Sequence, residues 1–274
     1  MTLPTLTGVT DALKTLAPLS YAGSWDNVGL LIQGSRLDAP VSRVLLCIDL
    51  SRPVLEEALD VGASLIVAYH PTIFRGYKRL TDAHPEQSVI LDLVRAGVSV
   101  FSPHTALDAA PGGVCDWLIE GLGALASRAP IEEVKGLPEP LAGQVGAGRA
   151  GELVEAATLD ALVARLKSHL GLPQVRIAAA RDHAAGALIR RVAVCPGAGG
   201  SLFEKLRGPE LFVTGEMRHH DVLARVARGE SVILTDHTNT ERGYLPVLGE
   251  RLREALPELQ SVISEVDRDP LVIG

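Results

Sequence analysis

Residues 64–71 read SLIVAYHP and residues 98–108 read VSVFSPHTALD, and each begins as an apolar strand and reaches a histidine. A third stretch, SVILTDHTNTE at 231–241, has the same form. Helical patterns lie between such strands, and this alternation predicts a mostly parallel sheet covered by helices. Because open α/β sheets bind ligands outside the carboxyl ends of their strands, we expect the three histidines to converge on one crevice.

The composition is that of a globular protein with one large domain or two lobes. The chain has 274 residues, 47% apolar and 22% charged, which argues against disorder. The net charge of −7 works against nucleic-acid binding, which requires clustered Lys and Arg. The cysteines lie far apart, and the first residues, MTLPTLTGVT, lack a signal-peptide pattern. With no apolar run of about 20 residues, these features predict a cytoplasmic protein without membrane segments.

Strands and helices alternate along most of the chain. Helices are predicted at about 8–17, 51–60, 86–96, 112–122, 158–169, 219–228 and 240–255. Strands are predicted at 44–49, 64–70, 98–103, 175–180, 190–195, 211–215, 231–236 and 261–266. Thr7 or Thr10 can cap the first helix, and Ser51 can cap the second, which has Pro53 in its first turn.

The alternation loosens between about 123 and 152, where Gly, Pro and Ala interrupt the apolar runs. This segment is the predicted boundary between an N-terminal α/β lobe at 1–125, to which the C-terminal end can return, and a C-terminal α/β lobe at 126–274. The predicted fold class is α/β, with two similar lobes of mostly parallel mixed sheets flanked by helices. A metal site is expected in the cleft between the lobes.

The strand ends provide five candidate metal ligands. His104 and Asp108 follow one strand and His237 and Glu241 follow another, and each pair is four residues apart. Imidazole and carboxylate groups bind metals, and together with His70 these side chains suffice for two ions that share a carboxylate.

Each candidate also has a structural explanation. A single histidine such as His70 is more often a hydrogen-bonded structural residue than a ligand. Asp108 can cap the turn before the next helix, and Thr238 or Thr240 can cap a helix that has Glu241 in its first turn. The joint occurrence of the five residues favours the metal site.

Two further motifs extend the candidate site. TGEMRHHD places Glu216, His219 and His220 after a strand, as residues that orient ligands, transfer protons or begin a polar helix. SWDNVGLLIQG contains Asp26 and Asn27, which form either a turn or a polar wall of the site.

A glycine-rich turn is a candidate anion site. CPGAGGS follows a strand and precedes a helical pattern, so its backbone N–H groups could hold an anion at Gly197, Gly199, Gly200 and Ser201. The alternative is a tight turn that needs glycine for its positive φ angle.

In order and spacing, several of these blocks resemble the NIF-three-like family, whose members are also called GTP cyclohydrolase type-2 homologues. The blocks that carry the resemblance are SWDNVGLLIQG, AYHPTIF, SPHTALDAAPGGVCDWL, PGAGGS, FVTGEMRHHDVLA and DHTNTERGY. The resemblance covers nearly the whole chain. It implies a two-lobed α/β fold, a dinuclear metal site facing the interior of a ring-shaped homohexamer, and a hydrolytic activity.

The resemblance also implies roles for single residues. By motif, the metal ligands are His70, His104, Asp108, His237 and Glu241, with Asp108 as the bridge. Family members usually read His-His-Pro where this chain has Tyr69, His70 and Pro71. A neutral phenol is a poorer ligand than imidazole, so the number of ions is one or two per subunit. Residues 123–157 are too few for the middle domain of longer members, so the chain resembles the short form.

These inferences predict a metal-dependent hydrolase that activates water against a small substrate, such as a nucleotide or another phosphate compound. Glu241, Glu216 and His220 are the candidates for proton transfer. The ligand set suits Zn, Fe, Mn, Ni and Co. The alternative is a non-catalytic metal-binding or partner-binding regulatory scaffold.

Overall fold

The structure is a computed structural model, and it describes residues 2–271. Its α-helices are α1 (Leu6–Leu16), α2 (Arg52–Asp60), α3 (Pro85–Ala96), α4 (His104–Ala109), α5 (Val114–Glu120), α6 (Leu159–Leu170), α7 (Arg181–Ala184), α8 (Gly200–Phe203), α9 (His219–Ala227) and α10 (Leu245–Ala255). Its strands are β1 (Gly29–Ile32), β2 (Arg43–Cys47), β3 (Leu65–Ala68), β4 (Ser99–Ser102), β5 (Leu125–Ala129), β6 (Glu132–Glu133), β7 (Gly146–Ala147), β8 (Arg149–Ala157), β9 (Arg176–Ala178), β10 (Ile189–Cys195), β11 (Leu211–Thr214), β12 (Ser231–Leu234) and β13 (Gln260–Ile263). Short 3-10 helices cover Leu19–Tyr21, Thr238–Thr240 and Arg242–Tyr244.

The chain divides into two compact units. Unit 1 contains the residues up to Leu107 and those from Tyr244 onward, and unit 2 is Asp108–Gly243. The predicted boundary at 125/126 therefore falls inside unit 2, at the start of β5. The reason is that α5 packs against β8 and β10 of unit 2, while the C-terminal strand β13 pairs with β2 of unit 1.

Unit 1 is built on a five-stranded sheet with the strand order β1-β4-β3-β2-β13. The three pairings among β4, β3, β2 and β13 are parallel, and only the edge pairing of β1 with β4 is antiparallel. Every residue of β3 and β4 is buried, as expected for central strands of a parallel sheet that helices cover on both faces.

Unit 2 contains a six-stranded mixed sheet with the order β5-β8-β10-β11-β12-β9. Its centre, β10-β11-β12, is parallel, while β8 and β9 pair antiparallel on either side. The loosely patterned segment at 123–157 is thus partly strand: β5 and β8 form one edge of this sheet. Among the described residues, no helix is long and apolar enough to cross a membrane.

Two predicted helix starts differ from the structure. α1 begins at Leu6, and its cap is Thr5, whose Oγ1 accepts a hydrogen bond from the N–H of Gly8 at 3.1 Å. The prediction that Thr7 or Thr10 caps this helix is wrong, because both lie inside it. The helix predicted at 240–255 begins only at Leu245, because two 3-10 turns precede it.

Unit 2 contains a buried ion pair between Arg149 and Asp116. Arg149 is 1% exposed, and its Nε donates to Asp116 Oδ1 at 2.5 Å. Its remaining N–H groups donate to the carbonyl oxygens of Gly146, Gly148 and Ala109. Because the guanidinium donates to backbone acceptors as well as to the carboxylate, its charge is compensated despite burial.

Candidate metal centre

Each of the three strand-end histidines directs its Nδ1 atom at a carboxylate of its own unit. The pairs, with the distance from Nδ1 to the carboxylate oxygen, are His70–Asp49 (2.9 Å), His104–Asp26 (2.8 Å) and His237–Glu216 (3.1 Å). An ionised carboxylate only accepts hydrogen bonds, so the proton of a neutral imidazole lies on Nδ1. The lone pair of Nε2 is then directed away from the carboxylate, which is the arrangement of metal-binding histidines.

The register of the first sheet explains the His70 pair. β2 and β3 are parallel with Cys47 opposite Ala68, so Asp49 and His70 each lie two residues beyond the same rung. The N–H of His70 donates to Ile48 O at 3.0 Å, which extends the ladder past the end of β3. Adjacent strand ends therefore bring the imidazole and its carboxylate together.

The His104 pair is buried and tightly held. Asp26, whose side chain is fully buried, accepts hydrogen bonds from the backbone N–H of Thr105 at 3.2 Å and of Asn27 at 2.8 Å, as well as from His104. Burial alone would raise the pKa of Asp26, but the hydrogen bonds from His104, Thr105 and Asn27 outweigh it, so its pKa lies below the usual value. Asp26 thus fixes the orientation of the His104 ring.

The backbone at His104 is unusual for a residue with a side chain. Its φ angle is +30°, although left-handed backbone is disfavoured outside glycine. Strained residues of this kind cluster at functional sites, where the surrounding contacts hold them. Here the contacts are the Asp26 carboxylate and the start of α4, which contains both His104 and Asp108 four residues apart.

Aromatic rings surround the two histidines of unit 1. The rings of His70 and His104 have centroids 5.5 Å apart, and the Tyr69 ring lies 5.1 Å from His70 and 5.5 Å from His104. Tyr69 is only 3% exposed, so the phenol is packed among the candidate ligands. The position that departs from the family motif is therefore part of the histidine cluster of unit 1.

In unit 2, His237 and Glu241 present ligand atoms to the same space. His237 Nε2 and Glu241 Oε1 are 3.6 Å apart, and the Glu241 side chain is 2% exposed. Two ligand atoms about 2.1 Å from one ion, at a tetrahedral angle, lie roughly 3.4 Å apart. The observed separation fits a shared ion.

Gly197 keeps this space open. Its φ angle is +60°, and a Cβ atom added there would lie 2.8 Å from His237 Nε2 and 2.9 Å from Glu241 Oε1. A side chain at this position would occupy the volume between the two ligand atoms. The glycine is therefore required both for its backbone conformation and for the room that it leaves.

The glycine turn uses two of its N–H groups within the protein. Gly197 N donates to Thr240 Oγ1 and Gly199 N donates to Thr214 Oγ1, both at 2.8 Å. Gly200 begins α8, a helix of only four residues that includes Ser201. The geometry favours the tight-turn explanation over the anion site, because the threonine hydroxyls occupy these two donors.

Asp108 lies near two buried thiols. Burial raises the pKa of Cys115 and of Cys195, and the negative charge of Asp108 raises both further. Glu241 adds to the effect on Cys195. The negative charges of both carboxylates thus disfavour the thiolate form of Cys195.

The remaining candidates have other surroundings. His219 and His220 lie exposed at the start of α9, with ring centroids 5.6 Å apart. Asn27 Nδ2 donates to Ile73 O at 2.5 Å and so joins two loops of unit 1.

A cavity of about 760 Å³ with a mixed polar and apolar lining lies beside His70 in unit 1. Asp49, Ser51, Arg52 and Thr72 are among its lining residues. The hydroxyl oxygen of Thr72 is buried, and it lacks a hydrogen-bond partner among the described residues. A cavity of this size is in the range of small-molecule sites.

Among the three carboxylates that contact the candidate histidines, Asp49 is the one that the sequence pattern did not single out. It ends the strand at 44–49, but nothing in its own motif links it to His70. The available signal was the position of Asp49 at the end of its strand. The ends of adjacent parallel strands lie side by side, so a carboxylate at the end of β2 lies beside a histidine at the end of β3.

Comparison with known proteins identifies the family of proteins to which this chain belongs. The chain belongs to the Duf34/NIF3 (NGG1p interacting factor 3) family, whose model matches residues 4–270. It is 39% identical over 272 residues to NGG1-interacting factor 3 of Saccharomyces cerevisiae, covering 94% of this chain and 93% of the relative. It is 37% identical over 273 residues to NIF3-like protein 1 of Drosophila melanogaster, covering 97% of this chain and 88% of the relative.

Solved structures share the fold. A Bacillus cereus protein related to NIF3 superposes with a TM-score of 0.87 at 19% identity, over 100% of both chains. The Staphylococcus aureus protein SA1388 gives a TM-score of 0.85 at 25% identity, over 99% of both chains. The predicted α/β fold with two helix-flanked sheets and the predicted family are thereby confirmed.

Proposed function

We propose that this protein is a metal-dependent hydrolase whose ions are bound by the five ligands predicted from the sequence, His70, His104, Asp108, His237 and Glu241. The observation that carries the proposal is the common orientation of the three histidines. In each, a carboxylate 2.8–3.1 Å from Nδ1 leaves Nε2 as the ligand atom.

The donor set fits a divalent transition metal. Imidazole nitrogens and carboxylate oxygens suit Zn, Fe, Mn, Ni and Co alike. The buried Glu241 carboxylate, 3.6 Å from His237 Nε2, and the absence of a side chain at Gly197 support an ion in that space.

The residues around the ligands have separate tasks in this proposal. When bound, a divalent ion lowers the pKa of water toward neutrality and polarises a substrate. Asp49, Asp26 and Glu216 hold the protons on the histidine Nδ1 atoms. Glu241 and His220 remain candidates for moving a proton to the leaving group, and the cavity beside His70 offers room for a small substrate.

The test is turnover by protein of measured metal content. Purified protein is assayed against phosphoesters, nucleotides including GTP, and cyclic amides, together with His104→Ala. We expect hydrolysis by the wild type that falls at least about 100-fold in the variant, since general acid–base and metal functions are each worth that much. Turnover at the level of His104→Ala across the panel would contradict the proposal.

Tyr69 bears on the number of ions. We expect Tyr69→His to raise the metal content per subunit, because imidazole is a better ligand than a neutral phenol beside His70 and His104. Elemental analysis of the two proteins, prepared identically, measures the change. A wild type that already holds two ions, with no increase in the variant, would show that the second ion never needed a histidine there.

The second candidate function is a metal-binding or partner-binding scaffold without turnover. The yeast relative, 39% identical to this chain, is named as an interacting factor, which favours this alternative. Metal binding without hydrolysis, together with a stable complex between this protein and a partner protein that also forms with His104→Ala, would support the scaffold over the enzyme.

The family resemblance further leads us to propose a homohexamer in the cytoplasm. The native mass, measured by light scattering after size-exclusion chromatography, tests the assembly. A mass near that of six chains of 29.0 kDa supports it, and a mass near that of one chain contradicts it.

A further inference from the structure

Two large aromatic side chains of unit 1 lie exposed in contact with each other. Trp25 is 65% exposed and Phe74 is 49% exposed, and their ring centroids are 6.1 Å apart in an edge-to-face arrangement. Aromatic residues make up only 4% of the chain, and these are the two exposed large aromatics among the described residues. Neighbouring exposed apolar side chains commonly mark a binding surface.

Hydrogen bonds hold the loop that carries Trp25 in place. Gly23 N donates to Thr105 Oγ1 at 3.0 Å, and Asp26 N donates to Gly23 O at 2.9 Å. The indole packs over Gly23, where an added Cβ would lie 2.9 Å from Trp25 Nε1. The exposed ring is thus fixed by its own loop.

The loop that carries Phe74 is joined to the same framework. Asn27 Nδ2 donates to Ile73 O, the residue before Phe74, at 2.5 Å. Asn27 follows Asp26, which orients His104. One short motif therefore positions both the candidate ligand and the aromatic pair, and a binding surface needs such order before the ligand arrives.

The aromatic pair lies next to the candidate ligands. The Trp25 ring centroid is 6.1 Å from that of His104, and the two rings are nearly perpendicular at 81°. The pair is close enough to position a substrate for the chemistry proposed at the histidines.

We propose that Trp25 and Phe74 bind a planar nitrogen heterocycle of the substrate, and that they select small molecules that contain such a ring. Electron-poor heterocycles stack on indole and phenyl faces, and each stacking contact contributes substantially to affinity. The net charge of −7 argues against a nucleic-acid strand as the source of the ring. The inference rests on the proposed function, since it names the substrate class of that site.

The test uses nucleoside monophosphates as probes that contain a planar nitrogen heterocycle, and ribose 5-phosphate as the matched probe without one. In Trp117→Phe protein with its metal, Trp25 is the remaining tryptophan and reports binding directly. We expect saturable quenching by purine or pyrimidine monophosphates and none by ribose 5-phosphate. In Trp25→Leu, calorimetry should give binding weaker by about tenfold or more, while Leu37→Ala, at a 48% exposed site elsewhere, should bind like the wild type.

Several results would overturn the inference. These are equal affinity of wild type and Trp25→Leu, equal binding of ribose 5-phosphate, and no saturable quenching by any nucleotide. A Trp25→Leu protein with a smaller native mass would instead assign the aromatic pair to contact with a second copy of the chain.

Turnover separates this inference from the proposed function. Hydrolysis of ring-free phosphoesters at the rate of nucleotides would support the hydrolase and contradict the aromatic site. Stacking of nucleotides on Trp25 without hydrolysis would support the aromatic site and contradict the hydrolase.

Discussion

At the scale of single residues, carboxylates determine which nitrogen each candidate histidine offers. Asp49, Asp26 and Glu216 differ in burial, from fully buried at Asp26 to a side chain 54% exposed at Glu216, yet each lies within hydrogen-bond distance of an Nδ1 atom. Their shared role is to fix the proton and the orientation of the ring. In the proposed metal centre, these carboxylates affect the ion only through the histidines that they orient.

Asp49 tests this positioning role. We expect Asp49→Ala to weaken metal binding about 10- to 100-fold, because His70 loses the acceptor that holds its ring. Asp49→Asn, which retains an acceptor oxygen, should weaken it less. Competition with a chelator measures the affinity, and Asp38→Ala, which removes an exposed carboxylate paired with Arg36, is the control. Equal affinities in Asp49→Ala and Asp38→Ala would argue against the role.

Gly197 tests whether the space between His237 and Glu241 is a metal site. We expect Gly197→Ala to lose the metal held there, since its Cβ would lie within 3 Å of both ligand atoms. Gly171→Ala is the matched control: its φ angle of +67° is similar, but an added Cβ meets nothing within 4 Å. Both variants should lose about 1–2 kcal/mol of unfolding free energy from the left-handed backbone, and only the first should lose metal. Full metal content in Gly197→Ala would show that the space between His237 and Glu241 is not a metal site.

The sequence pattern could identify the histidines, and it named Asp26 and Glu216 as candidates near them, but it did not pair any histidine with its carboxylate. His70, His104 and His237 are conspicuous because each follows an apolar strand. Asp49 could be recognised as the partner of His70 only from the register of β2 against β3. Glu216 could be recognised as the partner of His237 only from the turn at His237. Hydrogen bonds between strand ends depend on which strands pair in the folded protein, and local sequence patterns do not contain this information.

At the scale of elements, a 3-10 turn rather than an α-helix positions His237 and Glu241. Thr238–Thr240 forms this turn, and Thr240 Oγ1 donates to His237 O at 2.7 Å and accepts from Gly197 N. The predicted helix start was wrong here because these threonine and glycine contacts outweigh the local helical pattern. α10 begins only at Leu245, with Pro246 in its first turn, where the missing N–H costs nothing.

Thr240 links this turn to the glycine turn, and its removal tests the link. We expect Thr240→Val to destabilise the protein by about 1–3 kcal/mol, because the buried N–H of Gly197 loses its acceptor. Metal binding at His237 and Glu241 should weaken as well. Thr10→Val is the control, since Thr10 is also buried but bonds only within α1. Denaturant unfolding and chelator competition measure the two effects, and a Thr240→Val protein that behaves like Thr10→Val would disprove the link.

The segment at 123–157 shows where sequence patterns lose information about elements. Apolar and polar residues alternate poorly along β8 (Arg149–Ala157). Two glycine-rich turns precede this strand, and the buried Arg149 stands where an apolar residue would be expected. The longer helices and the parallel strands were predicted, since their apolar patterns are continuous, but the short helices α4 and α7 were not. An antiparallel edge with a buried charge has no such pattern.

At the scale of the whole molecule, the chain contains two α/β units, one of them discontinuous in sequence. The C-terminal segment returns to unit 1, where β13 pairs with β2. The family match over residues 4–270 leaves little of the chain outside the shared fold. All the residues from which the proposed metal centre is built lie within this matched range.

The metal content of protein purified without a metal-affinity tag tests the central claim most directly. The account predicts at least one transition-metal ion per chain in the wild type, with histidine nitrogens in its X-ray absorption spectrum. It predicts a loss of that ion when His70, His104 and His237 are all replaced by Ala. A wild-type protein that retains no metal, or a triple variant that retains as much as the wild type, would contradict the account.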